Sequence, residues 1–131
     1  MSSFFTWDVS LDVGVEEMNH QHQILISLMD ALYQRNTAGA PKSELVQSAQ
    51  ELVDYVIKHF KDEESYMQSI DFKYLEAHRR LHNTLLSDLA KFVENFKNSS
   101  METIDKQFMM FLNLWISTHI RGIDTKYQIL L

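Results

Sequence analysis

Apolar side chains return every three or four positions in four separate stretches of the chain, the period of α-helices that turn one face inward. The first stretch covers about 19–36, with Leu25, Ile26, Met29, Leu32 and Tyr33 on its stripe and Asn19 placed to cap it. The second covers about 43–68 and carries Leu45, Ala49, Leu52, Val56 and Met67, and the third, about 73–97, carries Leu75, Leu85, Leu89, Phe92 and Phe96. Ile104, Phe108, Phe111 and Trp115 define a fourth over about 100–121, where Ser99 and Glu102 have the spacing of a capping box. Gly39 with Pro41, the stretch Ser69 to Phe72, and Asn98-Ser99-Ser100 mark the three connections, and Gly122 is suited to end the last helix.

Four amphipathic segments with short connections predict an all-α protein, an antiparallel up-down-up-down four-helix bundle forming one domain over 1–131. Residues 1–17 hold three aromatics and Gly14 without a helical period, and are read as an N-terminal arm. The apolar end, Tyr127 to Leu131, is read as a short C-terminal tail docked on the bundle.

Polar residues interrupt these stripes at particular places. His22 is in phase with the first, His59 and Glu63 with the second, His78 and His82 with the third, and His119 with the fourth. His20 is rotated roughly 200° from His22 and belongs to the outer face. Asp124 reaches the same region if the last helix breaks at Gly122. In an antiparallel bundle all seven fall at one end, and burying that many imidazoles and carboxylates without strong partners costs several kcal/mol for the charged groups alone.

Metal ions are partners of the right kind, and five imidazoles with two carboxylates exceed what one ion uses. If both carboxylates and a solvent oxygen bridge two ions, the one with three histidines reaches six ligands and the one with two reaches five. That leaves a single open position facing an apolar interior. Iron suits such donors, with manganese, zinc and cobalt as alternatives. Ferritin-like carboxylate bundles need two Glu-x-x-His motifs, and only Glu17 with His20 has that spacing, while the His-Glu-x-x-His of zinc proteases is absent.

Composition narrows the function further. A formal charge of -6 with no basic stripe argues against nucleic acid, and the absence of cysteine removes thiolate ligands and disulfides. The opening residues lack the pattern of a secretory signal, and the most apolar window, Met109 to Ile116, is interrupted by Asn113 and too short to span a bilayer. A soluble, cytoplasmic monomer without membrane insertion is the expectation.

Taken together, Trp7, Val13-Gly14, Gln21-His22, His59-Phe60, Glu63-Glu64, Met67, His78 with His82, Trp115, His119-Ile120, Asp124 and Tyr127 resemble the hemerythrins, specifically the single-domain bacteriohemerythrins. Two positions depart from the family pattern: Asn19 where Asp is usual, and Phe72-Lys73 where Tyr-Pro is common. The resemblance implies two non-haem iron ions, one on His78, His82 and His119 and the other on His22 and His59. Glu63, Asp124 and an oxo or hydroxo group would bridge them. It implies reversible binding of dioxygen at the five-coordinate iron, for storage, transport or delivery, with no catalytic residues and no protein acceptor identified. Leu25, Ile26, Val56, Leu114, Trp115 and Ile116 would form a dry wall around it. The competing classes are a diiron oxidoreductase acting on peroxide or nitric oxide, and an oxygen or iron sensor module.

Overall fold

The computed structural model describes residues 16–116. Four helices follow one another: α1 (Glu16–Thr37), α2 (Lys42–Ser69), α3 (Leu75–Asn98) and α4 (Lys106–Ile116). They form an antiparallel four-helix bundle in which α2 packs against both α1 and α3, and α1 also meets α4. The expected tail, and the arm up to residue 15, lie outside the described residues, as does the expected break at Gly122.

The inward stripes are those the spacing predicts. Leu25, Met29, Leu32, Leu45, Leu52, Leu89 and Leu112 are fully buried, each such side chain contributing about 1.5–3 kcal/mol relative to exposure. Phe92 of α3 closes the far end of the bundle by packing on Phe108 and Phe111 of α4, with ring centroids 5.5 and 4.7 Å away.

Two helix starts differ from expectation. Glu16 and Glu17 form the first turn of α1, where carboxylates favour the positive end of the helix dipole, so Asn19 sits inside the helix rather than capping it. Helix α4 begins at Lys106 instead of about 100. The Ser99 hydroxyl donates to the Phe96 carbonyl at 2.8 Å and ends α3, while Asp105 Oδ1 accepts the Phe108 N–H at 2.9 Å and caps α4. Between them Ile104 is buried in the loop, its backbone N–H and carbonyl both held by the Asn36 side chain at 2.8 and 3.1 Å.

Both α1 and α2 end in Schellman turns, which satisfy the last carbonyls by reversing the chain through a left-handed residue. Gly39 (φ 77°) fills that position after α1, with Ala40 N–H bonded to the Arg35 carbonyl at 3.0 Å. After α2 it is Asp71 (φ 52°), with Phe72 N–H bonded to the Met67 carbonyl at 2.9 Å. This turn tucks Phe72 into the core, its ring edge-on to His78 at 6.4 Å, so the departure at Phe72-Lys73 is accommodated. Because Asp carries the Cβ that disfavours this conformation, Asp71→Gly is expected to stabilise the fold by about 0.5 kcal/mol and Asp71→Val to destabilise it by about 1–2 kcal/mol. Urea midpoints of the two variants test the sign of each.

Candidate metal centre

His59 and Glu63 lie one turn apart on α2, and His78 and His82 one turn apart on α3, so each pair projects from one helix face. His22 of α1 completes the set; all five side chains are buried, with His22, His59 and Glu63 fully enclosed. His119 and Asp124, the other two expected ligands, lie outside the described residues.

Glu63 stands at the centre and divides its two oxygens. Oε2 faces Nε2 of His22 at 3.5 Å and Nε2 of His59 at 3.6 Å, while Oε1 faces Nε2 of His78 at 3.1 Å and Nε2 of His82 at 2.9 Å. Two groups of potential ligands result, His22, His59 and Glu63 on one side and Glu63, His78 and His82 on the other, the ligand atoms of each within 4.8 Å of one another. Four imidazole nitrogens converge pairwise on opposite oxygens of one carboxylate, a donor set that could hold a cation on each side of Glu63.

Hydrogen bonds behind the ligands settle which nitrogen faces the centre. Gln21, itself buried, donates its amide hydrogens to Glu17 at 3.1 Å and Asp62 at 3.0 Å. Carboxylates only accept, so the Gln21 carbonyl oxygen must be what meets His59 Nδ1 at 2.9 Å. His59 therefore carries its proton on Nδ1 and turns the Nε2 lone pair inward. Glu64 does the same for His82, accepting from Nδ1 at 2.8 Å. Such outer hydrogen bonds orient metal-binding imidazoles and raise their basicity.

Each outer acceptor is anchored in turn. Lys58 donates to Asp62 at 2.7 Å, and this hydrogen bond, helped by that from Gln21, holds the Asp62 carboxyl below the usual carboxylate range. Arg79 binds Glu64 at 3.0 Å and reaches Glu76 as well. Phe60 fixes the His82 ring from the side: the two stack in parallel with centroids 3.8 Å apart, and Trp115 of α4 stacks behind Phe60 at 5.7 Å.

Spacing alone gives Gln21 and Glu64 no role beyond their place in the motif, although Gln21 is four residues before buried Leu25 and Glu64 four after buried Phe60. Of the expected dry wall, Leu25, Ile26, Val56 and Trp115 are buried. Leu114 is not part of it: 62 % exposed, it lies one position and about 100° of helix rotation from Trp115.

Residues 13–130 match the family described as Hemerythrin HHE cation binding domain. The chain belongs to the hemerythrin family. Among its hemerythrin relatives, a hemerythrin-like protein of Naegleria gruberi is 32% identical over 125 residues, spanning 95% of this chain and 91% of the relative. A bacteriohemerythrin of Stenotrophomonas maltophilia is 26% identical, spanning 95% and 80%. The crystal structure of a wild-type hemerythrin superposes with a TM-score of 0.86 at 26% identity, covering 97% of each chain. Membership in a cation-binding hemerythrin family agrees with a donor set built around Glu63. No helix among the described residues is long and apolar enough to cross a membrane.

Proposed function

We propose that the protein binds dioxygen reversibly at a non-haem diiron centre, as an oxygen store, carrier or delivery protein. The observation that carries this reading is the divided carboxylate, Glu63 presenting one oxygen to His22 and His59 and the other to His78 and His82. In this reading His119 would join His78 and His82 in holding one iron, and Asp124 would serve with Glu63 as a carboxylate ligand. An iron pair supplies the two electrons that dioxygen takes on binding.

The remaining work falls to the chain itself. Gln21 and Glu64 keep Nε2 of His59 and His82 available as ligands, and Phe60 holds the His82 plane. Leu25, Ile26, Val56 and Trp115 limit entry of water and protons, which favours release of oxygen intact.

The test is metal analysis with absorption spectra of the anaerobically reduced protein, before and after readmission of air. Two irons per chain and an absorption band that appears with oxygen and fades on its removal are expected. A colourless protein holding zinc would overturn the reading, and sustained consumption of peroxide or nitric oxide with a reductant would replace it by an oxidoreductase.

A further inference from the structure

The two halves of the centre are backed by clusters of equal formal charge that differ in which group touches the imidazole. Behind His59 stand the carboxylates of Glu17 and Asp62 and the ammonium of Lys58, with the neutral amide of Gln21 between them and the imidazole. Behind His82 stand the carboxylates of Glu64 and Glu76 and the guanidinium of Arg79, and here a carboxylate touches the imidazole directly. Arg79 takes Oε1 of Glu64 and leaves Oε2 to His82 Nδ1, so its charge offsets that of Glu64 from the far side.

A carboxylate in contact with an imidazole N–H draws the proton more strongly than an amide does, making the opposite nitrogen a stronger donor. Asp62 and Glu17 polarise the Gln21 amide in the same sense, but one group further out, where their field on His59 is weaker. We infer that this contrast makes the centre fill in a fixed order, the first ion entering at Glu63, His78 and His82 and the second at His22, His59 and Glu63. Glu64 and Gln21 are thus positioning residues that set unequal metal affinities for the two halves. The inference rests on the two-ion reading of the site.

Anaerobic titration of the metal-free, full-length chain with cobalt(II) tests it, followed by absorbance and calorimetry. One equivalent is then located by anomalous scattering. The wild-type chain should bind two ions in two steps separated by at least about tenfold, the first ion lying on the His82 side. Glu64→Gln should weaken the first step by about 10- to 100-fold, and Gln21→Glu made together with Glu17→Gln and Asp62→Asn, so that the new carboxylate meets amide donors instead of two carboxylates, should strengthen the second, each with circular dichroism unchanged. Combining all four exchanges, Glu64→Gln with Gln21→Glu, Glu17→Gln and Asp62→Asn, should reverse the order and place the first ion on the His59 side.

That reversal separates the outer hydrogen bonds from any advantage the His82 side draws from a third histidine, which the exchange leaves in place. An unchanged order in the combined variant, or a first ion on the His59 side of the wild-type chain, would overturn the inference while leaving a two-ion centre standing. Failure of the wild-type chain to bind cobalt at all would overturn the metal centre and the inference together.

Discussion

Glu63→Gln is expected to strip both ions from the protein, whereas His22→Ala should remove only one. The difference follows from geometry, because Glu63 is within 3.6 Å of His22, His59, His78 and His82 and belongs to both ligand groups, while His22 belongs to one. Glutamine preserves the shape of the side chain and the helix around it but replaces an anionic bridging acceptor with a neutral amide that cannot offer two equivalent oxygens. Affinity for each ion should fall by more than about 100-fold, beyond the range seen when only outer hydrogen bonds are lost. Metal analysis after gel filtration reads the result directly. A Glu63→Gln protein that keeps two ions would show that the divided carboxylate is not what joins the halves.

Removal of both ions should lower the melting temperature by about 30 °C. Each ion present at a thousand times its dissociation constant stabilises the folded state by about 4 kcal/mol, about 8 kcal/mol for the pair, and for a chain of this size each kcal/mol corresponds to about 3–5 °C. The effect should be large here because the emptied site retains a carboxylate and two imidazoles with no exposed surface at all. Without ions the Glu63 carboxylate must bind a proton, draw one onto a neighbouring imidazole, or stay charged in a buried setting, and each route costs folding free energy. Scanning calorimetry with and without a chelator measures the shift. The Glu63→Gln variant serves as the control, since it has no ions to lose and should melt at the same temperature in both.

What the sequence discloses and what it hides divide along the distance over which the determining interactions act. The inward stripes are local, set by a period of 3.6 residues, and so Leu25 through Trp115 could be placed on buried faces before any coordinates. The pairs His59 with Glu63 and His78 with His82 are equally local, one turn apart on their helices. Leu114 was legible too: its phase relative to Trp115 turns it outward, and its apolar character alone was a poor guide. The start of α4 was not, because Ile104 continues the apolar spacing of the helix that follows. Its place in the loop is decided by Asn36, 68 residues earlier in the chain. Gln21 and Glu64 were hidden for a similar reason. A glutamine beside buried His22 or a glutamate beside buried Glu63 is ordinary helix composition until the fold shows that each meets an imidazole on another helix.

The clasp between Asn36 and Ile104 also decides where the chain can accept additional sequence. Ser100, Met101, Glu102 and Thr103 are exposed and precede the clasp, so a peptide spliced between Ser100 and Thr103 can loop into solvent while Ile104 stays anchored and Asp105 still caps α4. The same peptide placed after Ile104 would separate the anchor from the cap and shift the register of the helix carrying Trp115. The α3–α4 connection is thus two regions of opposite tolerance, a permissive tip and a fixed base, and grafted epitopes, fluorophores or affinity handles belong on the tip.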